Sequence, residues 1–129
     1  MYIDHIAIWT NDLERLKDFY LQYFNCKASD KYENIKKQFS SYFLYFIDGA
    51  RIEIMKRYDI KERIDKERIG LAHFAIVVGK KEDVDEFTKY LDESGVIIYS
   101  YPRTTGDYCY ESVILDPDNN KIELIASDN

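Results

Sequence analysis

A chain of 129 residues, 46% apolar and 16% aromatic, has the length and composition of one folded domain or two small fused modules, not of a disordered segment. Its net charge of −6 argues against non-specific nucleic-acid binding, which depends on basic patches. No apolar run reaches the roughly 18 residues that a membrane-spanning helix needs.

Taken in chain order, "YIDHIAIWT" alternates in polarity and is rich in β-branched residues, so it predicts a strand. It enters that strand without a basic leader, and the expectation is a cytoplasmic protein. Asn11 is the expected N-cap of a helix whose apolar face is Leu13, Leu16, Tyr20 and Phe24. Asn25 can close that helix in a left-handed conformation. Two or three strands follow, the last being "RIEIM", which ends at Met55. Residues 56–69 are densely charged and of mixed sign, which predicts a solvated linker or a short exposed helix.

The second half repeats the order. "LAHFAIVV" reads as a strand, and "EDVDEFTKYLDESG" as a helix with Val84, Phe87 and Leu91 on one face and Gly95 as its stop. "VIIYSY", "YESVIL" and "KIELIA" then read as strands. Residues 99–112, "YSYPRTTGDYCYES", combine four tyrosines with Pro102 and Gly106. They predict either a mobile lid or a long hairpin loop. As a lid, Arg103 would bind an anionic substrate group while Tyr108 and Tyr110 shape the pocket. Cys26 and Cys109 stand in no metal-type spacing and are expected to be free, unreactive thiols.

The halves are related by an internal repeat. "HIAI" at His5 matches "HFAI" at His73, and "RIEIM" at Arg51 matches "KIELI" at Lys121. The expected fold is therefore α+β: two tandem β-α-β-β-β modules, residues 1–55 and 70–129, joined by the linker at 56–69. Strand alternation places Ile6, Ile8, Phe74, Ile76, Ile122 and Leu124 toward the helices. It places His5, Ala7, Trp9, Glu53, His73, Ala75 and Glu123 on the opposite face. These are the only two histidines of the chain, and each falls in register with a strand glutamate. Two imidazoles and two carboxylates on such faces are suitable ligands for a divalent transition ion.

The tandem modules, together with "HIAIWTNDLERLKDFY", "HFAI" and "DPDNNKIEL", resemble the vicinal oxygen chelate superfamily over nearly the whole chain. That group includes glyoxalase I, fosfomycin-resistance proteins, extradiol dioxygenases and bleomycin-binding proteins. The resemblance implies curved mixed sheets around a metal-binding cavity. It implies His5, Glu53, His73 and Glu123 as ligands of one Zn, Ni or Co ion, in a homodimer that takes a small-molecule substrate and binds neither nucleic acid nor membrane. The family often has glycine where this chain has Asn25 and Asn119, two residues that tolerate the left-handed conformation. Three-ligand members leave the place of Glu53 unused. A four-ligand set points to glyoxalase I-like lyase or isomerase chemistry on a small α-oxo or α-hydroxycarbonyl compound, such as a thiol hemithioacetal. Glu53 or Glu123 would move the proton by way of an enediolate. Bacterial members place a basic residue, associated with the glutathione conjugate, where this chain has Trp9. The resemblance therefore does not extend to glutathione as the thiol, and Trp9 becomes a candidate substrate-stacking residue. Two other readings stay open at this point: a fosfomycin-type thiol transferase, and a non-catalytic small-molecule-binding or resistance protein.

Overall fold

The computed structural model describes residues 1–128. The chain divides into two compact units, Met1–Arg63 and Ile64–Asn129. Both are α+β, each with one helix on one face of an open mixed sheet.

In the first unit β1 (His5–Trp9) leads into α1 (Leu13–Tyr23), followed by β2 (Lys27–Ala28), β3 (Tyr32–Asn34), β4 (Phe39–Tyr45) and β5 (Arg51–Arg57). The strand order is β1-β5-β4-β2, with β3 also on β4. β1 runs parallel to β5, and the other pairings are antiparallel. β2 pairs with the C-terminal end of β4 and β3 with its N-terminal part. The two are thus one interrupted strand, and the module keeps the β-α-β-β-β plan. In the second unit β6 (Phe74–Gly79), α2 (Lys81–Glu93), β7 (Ile98–Thr104), β8 (Tyr110–Leu115) and β9 (Lys121–Ala126) form a sheet of order β6-β9-β8-β7. Again the first and last strands are parallel neighbours.

Each core lies between helix and sheet. In the first unit Leu13, Leu16, Phe19 and Tyr20 of α1 are buried, as are Ile8, Leu44, Ile52 and Ile54 of the sheet. In the second, Val84, Thr88 and Leu91 of α2 are buried, as are Ile114, Ile122, Leu124 and Ala126. A buried pair of hydroxyls, Thr88 Oγ1 and Ser112 Oγ at 2.7 Å, joins α2 to β8. Pairing the two groups removes the cost of burying either alone.

Helix ends differ from expectation. The N-cap of α1 is Asp12, not Asn11: its Oδ1 accepts from the Arg15 N–H at 3.1 Å. A carboxylate there also faces the positive end of the helix dipole. Asn25 does not adopt a left-handed conformation; α1 ends at an extended, buried Phe24 whose N–H still bonds Tyr20 O. Gly95 does stop α2, with φ of 87°, while the Val96 N–H returns to Leu91 O. Residues 58–73 form neither helix nor strand.

The lid expectation is corrected. Most of residues 99–112 lies in β7 and β8, which form a hairpin, so the connection is only 105–109. Pro102 sits where the β7–β8 register shifts, between Ser100 and Arg103, on the edge strand. That is where a sheet tolerates a residue lacking an N–H.

Candidate metal centre

In both units the parallel strand pair sets the same frame. Ala7 of β1 lies opposite Glu53 of β5, and Ala75 of β6 lies opposite Glu123 of β9. The histidine stands two residues before each alanine, on the same face. The small alanine leaves room for the imidazole to approach the carboxylate. His5 Nε2 is 3.7 Å from Glu53 Oε2, and His73 Nε2 is 3.2 Å from Glu123 Oε2. Two ligands each about 2.0–2.1 Å from one ion, at tetrahedral to octahedral angles, are separated by about 2.8–3.4 Å. The second pair meets that spacing, and the first is slightly wider. The donor set therefore fits a divalent transition ion. Among the described residues no group of three or more His, Cys, Asp or Glu side chains gathers in ligating geometry. What each unit supplies is a pair.

The surroundings of the pairs were not foreseen from the sequence. In the first unit His5 Nδ1 is 2.7 Å from Asp4 Oδ2, and Arg51 binds the same oxygen. The hydrogen bonds from His5 and then Arg51 hold the Asp4 carboxyl below its ordinary range. Arg51 also lies over the rings of Phe43 and Tyr45, at 4.6 and 5.6 Å, and Phe43 meets the His5 ring edge-on at 5.3 Å. In the second unit the additional group is Glu111, on β8. It is 8% exposed and takes an ion pair from Arg103 at 3.2 Å. Burial, then the charge of Glu123, raises the Glu111 carboxyl above its ordinary range, and Arg103 and His73 offset this in part. A break in the repeat marks the place: Glu111 corresponds to Ser41 of the first half.

Other expected residues divide. Trp9 lies on the same face as His5, against the edge of Phe39 at 6.2 Å, with Arg57 stacked over it at 5.1 Å. Arg103 belongs to a strand and is held by Glu111, so it is not part of a mobile lid. Tyr108 is 84% exposed in the short connection and has φ of 69°. Tyr110 faces the other way from Glu111. Its hydroxyl donates to Asp85 of α2 at 2.6 Å, because alternation turns it to the helix side with Ser112. Burial pushes the Cys26 thiol up to about 11, and partial burial with the Asp107 and Glu111 charges raises Cys109. Neither thiol is activated. No helix among the described residues is long and apolar enough to cross a membrane.

Comparison with known proteins agrees with this frame. The chain is 27% identical to the uncharacterized protein YqjT of Bacillus subtilis (strain 168), over 95% of this chain and 96% of that one. Its fold is similar to that of SMU.1112c, with a TM-score of 0.81 at 23% identity, covering 97% of this chain and 98% of the other. It is also similar to the trypanothione-dependent glyoxalase I of Leishmania major, with a TM-score of 0.79 at 21% identity over 99% and 88% of the two chains. The model of the Glyoxalase/Bleomycin resistance protein/Dioxygenase superfamily matches residues 2–124, and the chain belongs to that superfamily.

Proposed function

We propose that this protein is a metal-dependent lyase or isomerase of the glyoxalase I type. Its substrate would be a small α-oxo or α-hydroxycarbonyl compound, such as the hemithioacetal of a thiol. The observation that carries the reading is the duplicated His–Glu pair, in one register, with nitrogen and oxygen 3.7 and 3.2 Å apart. Because Glu53 faces His5, the first unit offers two ligands where three-ligand members of the superfamily use one. That favours proton-transfer chemistry over thiol transfer.

His5, Glu53, His73 and Glu123 would hold the ion, Zn, Ni or Co. When bound, it supplies Lewis acidity toward two neighbouring substrate oxygens. The remaining chemistry belongs to the chain. Glu53 or Glu123 takes the proton from one substrate carbon, and a carboxylate returns it to the adjacent carbon, with no net change in oxidation state. Trp9 offers the exposed part of its ring to an apolar substituent, Arg103 a cation to an anionic one, and the exposed Tyr108 ring a further contact. The working form is a homodimer, which light scattering at micromolar concentration would test.

The decisive experiment is elemental analysis of the purified protein, followed by solvent-deuterium exchange at the substrate carbon with hemithioacetals of several thiols. The expected result is about one divalent ion per site and exchange that depends on it. Turnover of fosfomycin with thiol, and no exchange with any hemithioacetal, would overturn the reading.

A further inference from the structure

The two histidines occupy equivalent repeat positions, but among the described residues only His5 has a carboxylate at its Nδ1. His5 Nδ1 is within hydrogen-bond distance of Asp4 Oδ2, at 2.7 Å. That oxygen is also bound by Arg51, whose guanidinium is stacked on Phe43 and Tyr45. An ionised carboxylate can only accept, so the shared proton of a neutral imidazole resides on Nδ1. The lone pair is then left on Nε2, the nitrogen that faces Glu53 at 3.7 Å. Phe43 stands perpendicular to the imidazole, with ring centroids 5.3 Å apart. In the second half the matching residues are Ala72, which offers no acceptor, and Lys121, which is engaged with Glu67 and lies 4.1 Å over the Tyr99 ring. There His73 Nε2 lies 3.2 Å from Glu123, close enough to donate to it.

We infer that Asp4, clamped by Arg51, is a positioning residue that fixes His5 in the Nδ1–H tautomer with its Nε2 lone pair aimed at Glu53. The first unit is thereby set to receive a cation before one arrives. The second is not, and its histidine must give up an Nε2 proton first. The purpose of this arrangement rests on the metal reading above, but the tautomer itself does not. An outer carboxylate on a ligating histidine raises its basicity and fixes its orientation, and losing it costs about 10–100-fold in metal affinity.

The test uses the full chain, 15N-labelled and metal-free, at a pH above the imidazole range. Long-range 1H–15N correlation distinguishes the two tautomers, and with two histidines in the chain each serves as the other's control. His5 is expected as Nδ1–H and His73 as Nε2–H. Asp4→Ala should return His5 to the mixture of a solvated imidazole, in which Nε2–H prevails, and leave His73 unchanged. Asp4→Asn, which keeps an acceptor oxygen, should preserve the Nδ1–H form. Asp4 is half-exposed, so neither change threatens folding. In a cobalt(II) titration Asp4→Ala should weaken binding by about 10–100-fold. An Nε2–H His5 in the unmodified protein, or a His5 tautomer indifferent to Asp4→Ala, overturns the inference. A tautomer that follows Asp4 in a protein that binds no cobalt or zinc keeps the inference and removes the metal reading.

Discussion

In the first unit His5 is braced by Asp4 and Arg51, and the same sheet face carries Trp9 of its own strand and Phe39, Phe43 and Tyr45 of β4. In the second the corresponding face carries charge: Glu111 is buried beside Glu123, with Arg103 paired to it. The backbone register is the same in both, alanine opposite glutamate. The repeat has kept the His–Glu pair and the frame that sets its spacing, while the neighbours have diverged. A parallel strand pair fixes where two side chains meet, because register and alternation leave no freedom. The neighbouring strands impose no such constraint, so one face became aromatic and the other ionic.

If the two pairs are equal partners in one centre, His5→Ala and His73→Ala should each abolish retention of a divalent ion through purification, read by elemental analysis. A variant that keeps its metal would show that its unit's pair is dispensable. Glu53→Gln and Glu123→Gln should each slow solvent-deuterium exchange by about 10²-fold or more, the usual loss when an acid–base group is removed. Unequal losses would identify the unit that supplies the base.

The turns before the last strands offer a third contrast. In the second unit Asp116, 3% exposed, accepts from the Asp118 and Asn120 backbone N–H groups and from Asn120 Nδ2. Its counterpart in the repeat is Phe46. Asp116→Ala should cost about 2–4 kcal/mol, since hydrogen bonds to a charged group contribute about 1.5–3 kcal/mol each and water replaces some of them. Phe46→Ala, at a partly exposed site, should cost about 1 kcal/mol. Urea denaturation measures both.

The smallest effect concerns Glu111. Its carboxyl is raised in the folded state from an ordinary value of 4.5, so folding favours the protonated form. That contribution is fully present below the unfolded-state pKa and is lost as pH rises through the higher folded one. Glu111→Gln should therefore raise the melting temperature modestly at neutral pH, with the gain vanishing below about 4.5. Ser41→Ala, at the matching position, should show no such pH dependence.

Strand alternation and the repeat were enough to read the frame of the molecule. "HIAI" with "HFAI" and "RIEIM" with "KIELI" located four strands, their faces and both His–Glu pairs. The helical faces of α1 and α2 followed from apolar spacing. What escaped depended on contacts between elements. Asp12 rather than Asn11 caps α1 because the cap is chosen by backbone geometry within one residue, finer than a pattern resolves. Pro102 made the C-terminal end of β7, beyond "VIIYSY", look like loop, although an edge strand with a register shift accommodates it. Asp4 is adjacent to His5 in sequence, yet its role appears only once Arg51 is brought opposite by β5. Glu111 could have been found as a carboxylate inside "YESVIL" on the face of Glu123, where the first half has serine.

The same proline bears on how the protein behaves at high concentration. β7 is seven residues long and forms one edge of its sheet, with Tyr99 and Tyr101 about 60% exposed along it. An uninterrupted edge of this kind is a template for strands of other molecules. Pro102 brings no N–H to the strand, and the β7–β8 register shifts beside it, so this edge is not uninterrupted. The residue that obscured the end of the strand in the sequence is thus one that makes this edge a poorer template for strands of other molecules.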